Sequence, residues 1–154
     1  MKKSLVAFSV VVASCAATTA SADQTCKPVN GHFEAQQVLP PDCTAPFCSA
    51  GRVWGGIQGT YNFAMTTIEN SVAVPSISFF TGQSEITVKG GDLLFGTDTG
   101  TLDLGPNEGF ASLITFTGGT GSMAGASGQI KLRGTLDLTA GTTAGDYVGT
   151  LCTP

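Results

Sequence analysis

The sequence predicts an all-β protein: a small eight-stranded antiparallel β-barrel carrying an irregular, disulfide-pinned amino-terminal arm. Three observations lead there. Apolar and polar residues alternate over long stretches, most clearly in "QIKLRGTLDLT", where Ile130, Leu132, Leu136 and Leu138 share one face. Alternate side chains of a strand point to opposite sides, so that pattern marks a ribbon with one dry face. Glycine is abundant (21 residues) and only 12% of the chain is charged, a mixture suited to short strands and tight turns. Past the leader, no window longer than ten residues shows a 3.6-residue stripe, so little helix is expected.

The first element is a leader over 1–22. Met1-Lys2-Lys3 precedes an apolar run from Leu5 to Ala13, and Ala20-Ser21-Ala22 supplies small residues for cleavage. That run is too short for a permanent bilayer span. Export to a periplasm or to the outside is the expected address. Val12-Ala13-Ser14-Cys15 also resembles a lipobox, which makes a lipid tether at Cys15 the alternative. Cleavage before Asp23 leaves 132 residues, enough for one domain with a real core. Lys2 and Lys3 leave with the leader, so five basic residues face eleven acidic ones. Such a balance offers no patch for phosphates, which speaks against nucleic acid as a partner.

Residues 23–50 hold Pro28, Pro40, Pro41, Pro46 and three cysteines with little periodicity, and they read as the irregular arm. His32, the only histidine, falls in it as a surface residue. The barrel is expected over 51–154. In "RVWGGIQGTYNFAMTTIE", Val53, Ile57, Tyr61, Phe63 and Met65 hold one parity, which reads as one long strand broken by glycines. "SISFF", "EITVK", "DLLFG", "TLDL", "GFASLITFT", "QIKLRGTLDLT" and "DYVGTLC" bring the count to eight. Closure of eight such strands removes the exposed edges that an open sheet would leave. A sandwich is the competing architecture.

Cys26, Cys43, Cys48 and Cys152 suggest two disulfides with three connectivities. If the last strand meets the start of a first strand near residue 50, Cys48 pairs with Cys152 and Cys26 with Cys43. Metal is not expected, because Cys43-x4-Cys48 is wide for a zinc knuckle and one histidine is available.

Three chemical motifs fail on context. Gly119-Thr120-Gly121-Ser122-Met123-Ala124 matches a dinucleotide fingerprint, yet an alternating strand follows where a helix should begin. No cofactor is therefore expected. Asp98-Thr99-Gly100 matches the aspartic-protease triplet, but between "DLLF" and "TLDL" it reads as a turn. A membrane barrel would need an apolar outer face, whereas Lys131, Arg133 and Asp137 oppose the leucines.

"FTGGTGSMAGASG" (Phe116 to Gly128), with "GDYVGTLC" at the end, resembles the allene oxide cyclase-like barrels and their dirigent relatives, whose pattern is F-x-G-G-T-G-x-aromatic-x-x-A-x-G. Met123 stands where the family carries an aromatic. The likeness spans about residues 52 to 152. It implies an eight-stranded barrel, a homotrimer as in the plant members, and an apolar small-molecule ligand whose cyclisation or coupling some relatives steer. The motif is structural and carries no catalytic residue with it; the run from Thr120 is a corner, with one helical turn near Ser122.

On the apolar parity, Tyr61, Phe63, Ser112, Tyr147 and Asp98 are the ligand-lining candidates; Met65, Phe79, Phe95, Phe110 and Phe116 line or fill the same interior. Trp54 has outward parity and is a candidate surface contact. These residues favour binding of a small apolar ligand over catalysis by a cyclase or isomerase, with a structural or surface role as the third reading.

Overall fold

A computed structural model describes residues 23–106 and 108–154. The expected leader, and Cys15 with it, lies outside the described residues. Eight strands run β1 (Thr25–Val38), β2 (Cys48–Gly55), β3 (Gly59–Asn70), β4 (Ile77–Val88), β5 (Leu93–Asp103), β6 (Gly109–Gly119), β7 (Ser127–Asp137) and β8 (Thr142–Thr153). Each pairs antiparallel with the next, and β8 returns to β1, closing the barrel. The connections β1–β2, β3–β4, β5–β6 and β7–β8 therefore share one end. The other three connections and the chain ends share the opposite one.

Half of the irregular arm expected over 23–50 is the first barrel strand, and its last three residues begin the second. In β1, Val29, Phe33 and Ala35 are buried while Asn30, His32, Glu34 and Gln36 are exposed. Gly31 sits on the inward parity with no side chain to announce it, and Pro28 suggests irregularity. Pro28 is tolerated because it pairs only with Thr150 of β8, while β2 joins β1 from Gly31 onward. Residues 23–24 and 39–47 remain outside the strands.

The boundaries elsewhere shift for similar reasons. "RVWGGIQGTYNFAMTTIE" is two strands, because Gly55, at φ 110°, turns the chain ahead of Ile57. "SISFF" and "EITVK" are one strand, β4, and "DLLFG" and "TLDL" are one strand, β5. The expected number, eight, is right although its parts were divided differently. Asp98-Thr99-Gly100 is not a turn: it lies inside β5, with Asp98 opposite Gly82 and Ile114. The run after Phe116 is the expected corner, a one-turn 3-10 segment at Gly121–Met123 leading straight into β7.

Both disulfides differ from expectation. Cys26 joins Cys152, and Cys43 joins Cys48. The premise that the last strand meets the first holds, but the first strand begins at Thr25. Register then places Cys26 directly opposite Cys152.

Parity along the strands holds well. Ile130, Leu132 and Leu136 are buried, whereas Lys131, Arg133 and Asp137 are exposed. Leu138 lies past the end of β7 and is exposed. The core takes Val29, Val53, Ile57, Ile86, Leu94, Ile114, Phe116 and Ile130 at the end carrying the chain termini. There the interior is filled, and the remaining void measures about 10 Å³, too small for more than a single water.

Candidate functional site

The opposite half is hollow. A cavity of about 240 Å³ opens between the β1–β2, β3–β4, β5–β6 and β7–β8 connections. The cause is the choice of inward residues. At mid-barrel the inward positions of β2, β4, β5 and β6 carry Ser49, Gly82, Ser84, Asp98, Gly100 and Ser112, where the far half carries isoleucine and leucine. Two of these glycines act as seats. A Cβ at Gly82 would lie 2.3 Å from the Phe63 ring, and one at Gly100 would lie 2.6 Å from the Phe80 ring. Folding the rings flat over bare backbone keeps them on the wall and leaves the centre open.

The aromatic walls form two runs. Phe63 stands T-shaped to Phe80 at 5.8 Å and meets Phe47 at 6.5 Å. Phe33 packs edge-on to Phe110 at 5.8 Å and lies 6.4 Å from Tyr61. Such offset and edge-on pairs are the favoured arrangements of aromatic rings. Met65, Leu102 and Leu136 fill between them, and Pro46, Ile68, Leu104 and Leu138 make the mouth. Phe47 and Pro46 are held at the mouth by the Cys43–Cys48 bridge, which closes that short connection.

One polar cluster interrupts this lining. Asp98 is 2% exposed, and Ser84 Oγ donates to its Oδ2 at 2.5 Å while Ser112 Oγ donates to its Oδ1 at 3.3 Å. Burial pushes the Asp98 carboxyl up to about 6, against the two serine donors, which pull it down. Tyr61 lies beside it; burial and the Asp98 charge drive its phenol well above the usual tyrosine range, partly offset by Ser84 and Ser49. The hydroxyl therefore stays protonated at any ordinary pH. Thr143 also lines the cavity, and its buried Oγ1 has no hydrogen-bond partner among the described residues.

Of the five sequence candidates, the fold brings Tyr61, Phe63, Ser112 and Asp98 together in this cavity. Tyr147 lies outside it. Its hydroxyl accepts from the Ile57 amide at 2.7 Å and faces the carbonyls of Trp54 and Ile57 at 3.3 and 3.2 Å, tying the β2–β3 turn into the filled half. Burial raises the Tyr147 phenol, and the backbone hydrogen bonds at Ile57 and Gly56 oppose that rise. Met65 and Phe110 line the cavity, Phe116 belongs to the filled half, and Phe79 and Phe95 lie on the outward parity. Trp54 points outward as expected, with His32 and Asp146 in the same register row.

Sequence reasoning missed Phe33, Phe47, Ser49, Phe80 and Ser84. Ser84 was legible, since it shares parity with Ile86 in "SEITVK". Phe33, Phe47 and Ser49 were hidden by reading 23–50 as an arm. Comparison of the chain with models of known protein families, with curated proteins and with solved structures gives no match.

Proposed function

We propose that this barrel binds a small, largely hydrocarbon molecule that carries one polar group, held with that group against Asp98. The observation that carries the reading is the pairing of an aromatic-walled cavity of about 240 Å³ with a single buried carboxylate. Apolar walls with a few fixed polar groups are the usual composition of small-molecule sites. An apolar cavity of roughly 150 Å³ accommodates benzene, so this one suits about ten non-hydrogen atoms. The unpartnered Thr143 hydroxyl supports a ligand with some polar character. Kinship with the allene oxide cyclase-like and dirigent barrels, suggested by the corner motif, supports an apolar ligand. Export belongs to the same proposal, supported by two disulfides.

Calorimetric titration with octan-1-ol tests it, alongside native mass spectrometry of protein purified from its own host. Saturable uptake is expected. Leu104→Trp, at an exposed mouth position, should weaken it at least tenfold while leaving the fold intact. A barrel that takes up no octanol, and carries no ligand from its host, overturns the reading.

A second reading, an isomerase or cyclase acting on a hydrophobic molecule, is favoured by the Asp98 carboxyl, which burial raises to about 6 inside the cavity. An α-proton of a ketone would pass to Asp98 and return from it. Deuterium exchange into 2-octanone should then be accelerated by the wild type and not by Asp98→Asn. Equal exchange with both removes this reading.

A further inference from the structure

We propose that the ligand is a hydrophobic amine, an alkyl or arylalkyl ammonium whose charged nitrogen meets Asp98 while its body lies along the aromatic walls. This rests on the binding reading above and adds the sign of the head group. Three observations carry it.

Among the described residues that line the cavity, Asp98 is the only carboxylate, and no lysine, arginine or histidine accompanies it. A ligand carboxylate would meet a like charge with no cation to offset it, inside a site where water screens poorly. The geometry at Asp98 also leaves room for a donor. Ser84 and Ser112 take one lone pair on each oxygen, which leaves acceptor capacity on both. An ammonium has three N–H groups and no acceptor, so it complements that remaining capacity.

The third observation lies outside the cavity. Asp42, Glu69, Asp103, Glu108 and Asp137 all fall on the connections or strand ends that surround the mouth. Among the described residues, no lysine or arginine shares that end. Lys27 and Lys89 sit at the opposite end, and Arg52, Lys131 and Arg133 lie mid-strand on the outer face. A mouth ringed by one sign of charge raises the local concentration of ions of the other sign and speeds their entry. The ring and the deep carboxylate thus select the same charge along one path.

Matched eight-carbon probes test this on the full, disulfide-bonded protein at pH 8, where Asp98 is ionised. Octylammonium and octanoate each bring one charge on eight carbons, so both carry the cost of desolvating an ion, and the one-methylene difference in alkyl length is worth only about fourfold; octan-1-ol measures the chain without a charge. Octylammonium should bind at least tenfold more tightly than octanoate, with an affinity that falls as salt is raised. Asp98→Asn should bring the two ions within about fourfold of each other. Octanoate binding as tightly as octylammonium overturns the proposal while octanol uptake keeps the apolar pocket. Uptake of none of the three overturns the binding reading, and the proposal with it. The double variant Glu69→Gln, Glu108→Gln gives a measurement independent of the interior: it should slow octylammonium association at least threefold at low salt. An unchanged rate removes the ring from the argument and overturns selection by sign at the mouth.

Discussion

The two halves of this barrel are built from the same strands on the same parity, yet one is solid and the other hollow. At the filled end, Ile86, Leu94, Ile114 and Ile130 converge from four consecutive strands and Ile57 closes from the β2–β3 turn. Only two or four positions further along β4, β5 and β6, the inward residues become Ser84, Gly82, Asp98 and Ser112. The difference teaches that an eight-stranded barrel is near the size where side-chain volume alone decides between a core and a cavity. Hydrocarbon burial stabilises one half, while the other half gives up that stability for an open, chemically marked space.

The disulfides sharpen this division most strongly. Cys26–Cys152 staples β1 to β8 at the filled end across 126 residues of sequence, and Cys43–Cys48 spans only five at the mouth. In the chain-entropy model the first contributes about 5 kcal/mol and the second about 2 kcal/mol. Urea unfolding of Cys26→Ser, Cys152→Ser should therefore show a loss near the larger figure, and Cys43→Ser, Cys48→Ser one near the smaller. The mouth variant should, in addition, weaken octanol binding, because Phe47 and Pro46 lose their anchor. Equal losses from both pairs would break the contrast between a stapled base and a clasped rim.

The sequence disclosed the filled half more fully than the hollow one, and the reason is physical. A core position announces itself by hydrophobicity, so Ile86, Ile130 and Leu132 could be assigned from alternation alone. A cavity is made by inward residues that are small or polar, and these break the very pattern used to find strands. Gly96, Asp98 and Gly100 made β5 look like two strands with a turn between them, although the chain runs straight through. Gly31 and Pro28 did the same for β1, and the misplaced strand then carried the disulfide pairing with it. Parity survived where boundaries did not, which is why Asp98, Tyr61, Phe63 and Ser112 were placed inside. The acidic mouth was illegible for another reason: Asp42, Glu69, Asp103, Glu108 and Asp137 are scattered along the chain and meet only when the up-and-down topology is known.

The next contrast concerns pH. Asp98 has its folded-state carboxyl raised to about 6 from an ordinary 3.8, chiefly by burial. The folded protein then holds this proton more tightly than the unfolded chain does. Stability from the group is fully present below pH 3.8 and is lost as pH rises through 6. Two pH units of difference correspond to about 3 kcal/mol. Asp98→Asn keeps the shape without the charge, so it should be more stable than the wild type by about that amount at pH 8, the gap closing toward pH 4. The difference between the two denaturation profiles isolates this carboxyl from the other acids. A gap independent of pH would show that Asp98 is hydrated like a surface residue, and the hollow half would lose its marked floor.

The two interior tyrosines give the smallest and most local comparison. Tyr147 in the filled half accepts the Ile57 amide at 2.7 Å, and Ile57 is buried, so its amide loses its partner once the phenol oxygen is gone. Tyr147→Phe should thus cost about 1–3 kcal/mol, the usual penalty of an orphaned buried donor. Tyr61→Phe removes a hydroxyl that faces the cavity, and Ser84 still has Asp98 to donate to. Its cost should stay below about 1 kcal/mol. Amide hydrogen exchange separates the two beyond the energies: Ile57 should lose protection in Tyr147→Phe and keep it in Tyr61→Phe. Matching losses of stability would mean that the Tyr61 hydroxyl carries as much of the fold as the Tyr147 hydroxyl does, and the contrast between the two halves would fail at these residues.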